Sequence, residues 1–286
     1  MAGRPVLLKC ENLQRGGSFK IRGALNAIAS LPPEAAGRGV VTHSSGNFAQ
    51  GLALAARARG VPAYIVMPDN APVVKQQAVR DYGGRIHLCA PTLEARASAA
   101  EAIRVETGAA LVHPNNQPEV IAGQGTVALE ILEDAPEVRT IVAPVGGGGL
   151  VSGIALAARG LDPGVAVYAA EPAGADDAWR SRRAGRRLDN ESLDTIADGL
   201  LPNLGNWTWP VVRDVVTDVL RVDDAAITEA LRLLVERTKL VVEPSGAVSL
   251  AAILSEAFLA LPGDDPVAIV LSGGNIDPAR LGALLT

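Results

Sequence analysis

One pattern restricts this chain more than any other. A short, β-branched apolar run without polar alternation is followed by a Gly- or Ser-rich turn and an Ala-rich helical segment, several times over. "GVVTHSSGN" leads into "FAQGLALAARARG", "PAYIVMP" into "APVVKQQAVRDYG", "RIHLCA" into "LEARASAAEAIRVETG", and "RTIVAPVGGGG" into "LVSGIALAARG". "VAVYAAEP" and "PVAIVLSGGN" are two further runs of the same kind. Runs of this type suit parallel strands covered on both faces, with the helix after each strand as the crossover. The pattern predicts an α/β fold of mostly parallel open sheets, helices on both faces and right-handed crossovers. A chain of 286 residues exceeds one small domain. The break near "HPNNQPEVIAGQG" is the expected crossing, giving one domain from 1–38 with 117–286 and a smaller one from 39–116.

Composition narrows the function classes. Aromatic residues are only 3% while hydrophobic residues reach 48%, so the core must be Ala, Val, Leu and Ile. A net charge of −5 without a basic block argues against nucleic acid as a main partner. The arginine run "RSRRAGRR", Arg180 to Arg187, reads as a solvated helix face or loop. Cys10 and Cys89 have neither the number nor the spacing of a disulfide framework or zinc site, which suits reduced thiols in the cytoplasm. The N-terminus lacks the apolar core of a signal peptide. The uncharged stretch Ile141 to Ala158 is long enough to span a membrane, but Pro144 and four glycines interrupt it. It reads as a strand, a loop and a helix, and no membrane partner is expected.

In open parallel sheets, ligands sit at the carboxyl ends of strands, where backbone amides and helix N-termini face outward. Four such turns are rich in small or polar residues: Ser44–Asn47, Gly146–Gly149, Ala173–Asp177 and Ser272–Asn275. Gly146, Gly147, Gly148 and Gly149 follow a strand and open a helix, and four amides without a Cβ can wrap a phosphate closely. The turn Ser44, Ser45, Gly46, Asn47 would hold a small carboxylate, although ordinary N-capping explains it equally well. Glu171, Asp176 and Asp177 suit a hard cation, or the two aspartates merely cap the helix that follows. His43, His87 and His113 are scattered singly and show no zinc spacing or catalytic triad, so they read as structural or supporting side chains. A dinucleotide site is the second function class, but G-x-G-x-x-G fails in every register, leaving only the looser Gly147, Gly149 and Gly153.

Lys20 is one of only four lysines, with Lys9, Lys75 and Lys239, among 26 basic residues. It stands after "GGS" where a helix begins, a place whose positive dipole disfavours a cation. That field and partial burial lower an ammonium pKa and favour an amine nucleophile, which arginine cannot become. An imine-forming amine, a phosphate cradle and a carboxylate-binding turn together describe a pyridoxal phosphate site.

The chain resembles the fold-type II pyridoxal phosphate enzymes, with the tryptophan synthase β-like two-domain fold, and within them the serine/threonine dehydratases and the similar serine racemases. The pieces that carry the resemblance are "GGSFKIRGA", "SSGNFAQG", "AYIVMP", "HPNNQPEVIAGQGT", "VGGGGL", "AAEPAGADD", "TIADGL", "EPSGA" and "LSGGN", in order over nearly the whole chain. The resemblance implies pyridoxal 5'-phosphate bound as an imine to Lys20, which also removes the α-proton. Phe19 would pack on the cofactor ring, Asn47 would bond its phenolic oxygen, and Ser272 would face the pyridine nitrogen. Gly146 to Gly149 would bind the phosphate, and Ser44, Ser45, Gly46 and Asn47 the amino-acid substrate. Ser45 would sit on the face opposite Lys20 and exchange a second proton in racemases. Glu171, Asp177 and the Ala175 carbonyl match the family's divalent cation site, for magnesium or calcium.

Two departures follow. Phe48 stands where the family commonly has His, so hydrogen bonding near the substrate is expected to be lost. The family also carries a helix ahead of "VLLKCEN", so the start is expected to lie late, and with no regulatory domain expected after "LGALLT", feedback control by isoleucine is not expected. The expected reaction is β-elimination of water from L-serine or L-threonine to a 2-oxo acid and ammonia. Serine racemisation is the alternative, then 3-hydroxyaspartate dehydration; a nicotinamide-dependent oxidoreductase or an inactive relative is more distant. A homodimer acting on a small amino acid is the expected form.

Overall fold

A computed structural model describes residues 2–286, which divide into two compact units, residues 2–19 with 124–286, and residues 20–123. In chain order, β1 is Val6–Cys10, followed by α1 (Lys20–Ala29), α2 (Pro33–Arg38), β2 (Val40–His43), α3 (Asn47–Arg59), β3 (Ala63–Pro68), α4 (Val73–Asp81), β4 (Arg85–Cys89), α5 (Leu93–Thr107) and β5 (Ala110–Leu111). Helix α6 (Pro118–Asp134) carries the chain onward to β6 (Thr140–Pro144), α7 (Gly149–Leu161), β7 (Ala166–Pro172), α8 (Asp177–Ala184), α9 (Thr208–Asp214) and β8 (Asp218–Val222). Then come α10 (Asp224–Leu233), α11 (Pro244–Leu254), α12 (Glu256–Leu259), β9 (Val267–Leu271) and α13 (Pro278–Leu285).

The larger unit holds a five-stranded sheet in the order β1-β9-β6-β7-β8, every pair parallel. Its strand β9, "VAIVL", is buried at all five positions, as a run covered on both faces must be. The register Val142 to Ile269 aligns β6 with β9, so Gly146 and Ser272 leave neighbouring strands at the same edge. Glu171 lies at the same end of β7, on the other side of β6. The stretch Ile141 to Ala158 is indeed strand, loop and helix, and no helix among the described residues is long and apolar enough to cross a membrane.

The smaller unit holds a parallel four-stranded sheet, β4-β3-β2-β5. Its edge strand β4 departs from the expected two-sided burial, with Arg85, His87 and Leu88 exposed. The domain boundary also falls elsewhere than expected: residues 20–38 belong with this unit. The reason is packing, since Ile21, Ala24, Ala27 and Ile28 of α1 are buried in one cluster with Phe48, Leu52, Ala53 and Ala56 of α3. Fully burying a Phe, Leu or Ile side chain is worth about 1.5 to 3 kcal/mol, so α1 cannot leave this cluster cheaply.

The arginine run is not a freely solvated face. Arg182 donates to the carbonyls of Val212 (2.7 Å), Val216 (2.8 Å) and Thr217 (2.6 Å), tying α8 to the turn before β8. Arg183 and Arg221 both stack on Trp179, at 3.8 and 4.0 Å from the ring centroid.

Candidate active site

In the larger unit, the residues after β6 form a cradle. Val145 continues the sheet by donating to the Ala170 carbonyl at 2.9 Å. The amides of Gly146, Gly147 and Gly148 then meet no protein acceptor among the described residues, and α7 starts at Gly149. The first N–H groups of a helix have no intrahelical partner, so these amides and the first turn of α7 point a positive end at the same place. Two glycines here are obligatory. Gly148 has φ +81°, and a Cβ on it would meet Leu204 and Thr208 at 2.7 Å. A Cβ on Gly146 would meet the Leu200 backbone at 2.8 Å. The segment around residues 199–208 therefore presses on the loop from behind. Thr208, fully buried, donates to the Gly147 carbonyl at 2.9 Å and accepts from the Gly205 amide at 2.8 Å. Ser152, in the first turn of α7, keeps a buried hydroxyl without a protein partner among the described residues. Unsatisfied amides and a buried hydroxyl at a helix start fit a phosphate dianion.

Ser272 follows β9 and is nearly buried, with its carbonyl accepting from the Phe19 amide at 3.1 Å. Phe19 itself is partly buried against the core that contains Val145, Leu150 and Val151. The glycines before Lys20 shape the backbone that leads to it: Gly16 and Gly17 both have left-handed φ, +76° and +71°. They fold the turn back so that Gly17 O accepts from Gly274 N (2.9 Å) and Gly16 O from Asn275 Nδ2 (2.7 Å).

Glu171 and Asp177 are fully buried. The expected aspartate cap on α8 is replaced by Glu171 from the preceding strand, which accepts the amides of Ala178 (2.8 Å) and Trp179 (2.7 Å). Asp177 accepts from Leu204 N at 2.8 Å and Asn190 Nδ2 at 3.1 Å, while Asp176 pairs with Arg221 at 2.7 Å. Burial drives the Glu171 carboxyl well above its ordinary range, and the neighbouring Asp177 adds to this. Burial likewise pushes Asp177 up to about 6. Among the described residues no cluster of three or more His, Cys, Asp or Glu is placed to hold a metal ion. Ala175, also buried, lies on the loop between these two carboxylates.

In the smaller unit, Lys20 opens α1 and its Nζ donates to the Pro114 carbonyl at 2.9 Å. The ammonium lies 5.8 Å from the centroid of the Phe48 ring. Phe48 thus fills the core with an aromatic face toward the lysine, where the resemblance had implied lost hydrogen bonding. Gly51, one turn further along α3, allows the approach: a Cβ there would stand 3.2 Å from the Lys20 carbonyl carbon. The turn before α3 is looser. Ser44 N donates to Val66 O at 3.1 Å, Gly46 N reaches Ser44 Oγ only at 3.4 Å, and Ser45 is half-buried with no protein partner for its hydroxyl among the described residues. Asn47 is the first residue of α3.

His43 and His113, read singly in the sequence, come together with ring centroids 6.0 Å apart, edge to face. His113 is pushed down to about 4, first by burial and then by the charges of His43 and Lys20. His43 is also lowered, by burial and by Arg96. Sequence reading gave no role to Thr208 or Gly51, although Gly51 closes the motif "SSGNFAQG"; His113 was read as a structural or supporting side chain, within the motif "HPNNQP".

A model of the pyridoxal-phosphate dependent enzyme family matches residues 1–273. The chain is 51% identical to a serine racemase of Oryza sativa subsp. indica over 280 residues, 97% of this chain and 83% of the rice protein. The structure of maize serine racemase superposes with a TM-score of 0.96 at 49% identity, covering 99% of this chain and 87% of the maize chain. The T.th. threonine deaminase superposes with a TM-score of 0.90 at 46% identity, covering 96% of this chain and 89% of the deaminase chain. The chain belongs to the family of pyridoxal-phosphate dependent enzymes. Its helix-start lysine is the residue type that forms an imine with this cofactor.

Proposed function

We propose that this chain racemises serine, with β-elimination of water as a second reaction of the same residues. The observation that carries the reading is about half identity, over nearly the full chain, to serine racemases. This reverses the order expected from the sequence, where elimination came first. Elimination keeps its place as the second reading because a threonine deaminase shares 46% identity and a TM-score of 0.90.

When bound, pyridoxal phosphate supplies the electron sink that makes the substrate α-proton removable. The residues of this chain supply the rest. The amides of Gly146 to Gly149 would hold the phosphate, Phe19 would pack on the ring, and Asn47 would bond its phenolic oxygen. The neutral hydroxyl of Ser272 would face the ring nitrogen and could not fix a proton on it as a carboxylate would. The turn Ser44–Asn47 offers its amides to the substrate carboxylate. Lys20 Nζ would anchor the cofactor and, once released by the substrate amine, take the α-proton, while Ser45 Oγ would give a proton to the other face. For elimination, the same removal by Lys20 is followed by departure of the β-hydroxyl as water.

A divalent cation belongs to this reading. Burial raises the cost of ionising both carboxylates, the charge of Asp177 adds to it at Glu171, and a hard cation held by Glu171, Asp177 and the Ala175 carbonyl would remove that cost.

One incubation with L-serine decides between the readings, with D-serine followed by chiral chromatography and pyruvate by a coupled assay. D-serine as a main product is expected. Pyruvate alone moves the assignment to elimination, and neither product overturns both.

A further inference from the structure

The turn after β5 is built around a histidine. His113 Nδ1 accepts the backbone N–H of Asn116 at 2.9 Å and that of Asn115 at 3.3 Å. The His113 amide in turn donates to Gln117 Oε1 at 2.9 Å. This is the arrangement of an Asx turn, in which a side-chain acceptor takes the amides two and three residues on, with imidazole nitrogen in place of a carboxamide oxygen. Pro114 follows, with no N–H to compete and a restricted φ. The carbonyl of Pro114, inside this closed turn, is the one that accepts from Lys20 Nζ at 2.9 Å.

An Nδ1 that accepts two amides carries no proton, so the ring is neutral and its proton is on Nε2, as assigned from the hydrogen-bond pattern. The groups facing this ring favour that state. Lys20 comes from α1, and His43 comes from the end of β2. The aromatic face of Phe48 closes the far side of the lysine.

We propose that His113 is a positioning residue for Lys20: its unprotonated Nδ1 closes the 113–116 turn, and that turn holds the Pro114 carbonyl that fixes the amine. The inference rests on the reading of Lys20 as the anchoring amine and adds what places it. Protonation of Nδ1 would break both acceptor bonds and bring a second cation beside the ammonium, so the turn and the amine are coupled.

The test uses the full chain stripped of cofactor. Competitive acetylation of Lys20 with trace acetic anhydride, read by mass spectrometry across pH, gives the midpoint of its amine. Asn places Oδ1 where His places Nδ1, whereas Gln carries its oxygen one bond further out. His113→Asn is therefore expected to keep the wild-type midpoint. His113→Gln and His113→Ala should lower it by about one unit, because the ammonium loses an acceptor that favours its charged form. Equal midpoints in all four proteins, or an Asn variant that behaves like Ala, overturn the proposal. If circular dichroism shows that Ala or Gln has lost the fold, nitrogen-15 NMR of the labelled wild-type chain decides. An unprotonated His113 Nδ1 supports the turn, and a protonated one overturns it. The Lys20 reading fails separately, if borohydride reduction of the loaded chain leaves the adduct on another residue.

Discussion

Two turns of this molecule have the same design, a parallel strand running into a helix through small residues, yet they differ in how they are held. At Gly146–Gly149 the protein presses from behind, and a methyl group on Gly146 or Gly148 has no room. At Ser44–Asn47, a Cβ on Gly46 would meet nothing within 4 Å, and the four residues are half-exposed. The first is a fixed mould, suited to a phosphate whose shape never changes. The second is an open rim, suited to a group that arrives and leaves. Their buried charges differ as well. Beside the first lie two carboxylates held above their ordinary range, and beside the second two imidazoles held below theirs.

The largest effect should come from the open turn. Ser45→Ala removes the proposed proton donor, and D-serine formation should fall by about a hundredfold or more, the usual contribution of a positioned acid. Pyruvate formation from L-serine should persist, because elimination needs only Lys20. Equal loss of both products would assign Ser45 to binding alone.

Gly148→Ala should sharpen the contrast from the other side. Left-handed φ and contacts at 2.7 Å predict a destabilisation of about 3 kcal/mol, measured by denaturant unfolding, together with loss of cofactor affinity.

Acid should separate the two units in opposite directions. His113 ordinarily titrates near 6.5 and here at about 4, so between those values the unfolded chain binds a proton that the folded chain does not. Stability present above 6.5 is then lost as the pH falls to 4, by up to about 3 kcal/mol. Asp177 ordinarily titrates at 3.8 and here at about 6, so its contribution is present below 3.8 and lost as the pH rises to 6, by a similar amount. Amide protection, taken relative to the intrinsic exchange rate at each pH, should therefore fall in β2 and β3 on acidification, while it rises in β6 and β7 of the cation-free protein. Magnesium should flatten only the second slope; a slope indifferent to magnesium and calcium would remove the cation from Glu171 and Asp177.

Thr208→Val leaves the Gly147 carbonyl and the Gly205 amide without their shared partner, at a cost of about 1 to 3 kcal/mol. Gly46→Ala should cost less than about 1 kcal/mol, with φ of −111° and open space around it. A thermal shift in Gly46→Ala as large as that in Gly148→Ala would erase the distinction between mould and rim.

Much of this was legible in the chain itself. The runs "VVTH", "AYIVMP", "RIHLC", "TIVAP", "AVYAAEP" and "VAIVL" are strands as read. Strand β8 was not read, because in "DVLRV" an edge position mixes charged with apolar residues and hides the apolar run. The arginine run was read as solvent-facing because nothing in "RSRRAGRR" announces the carbonyls of residues 212–217 that Arg182 collects.

Sequence alone determined the α/β class and picked out the strand-end turns and the helix-start lysine on which the proposed site is built. Those follow from periodicity, turn residues and functional groups within a few positions of one another. Tertiary structure decided the rest. Helix α1 joined the smaller unit because its apolar face packs on α3. Glu171 became the cap of α8, and Lys20 found its acceptor 94 residues away at Pro114, in a turn closed by a histidine that had looked solitary. Such partners are selected by distances in space after the chain has closed, and local sequence pattern does not encode those distances.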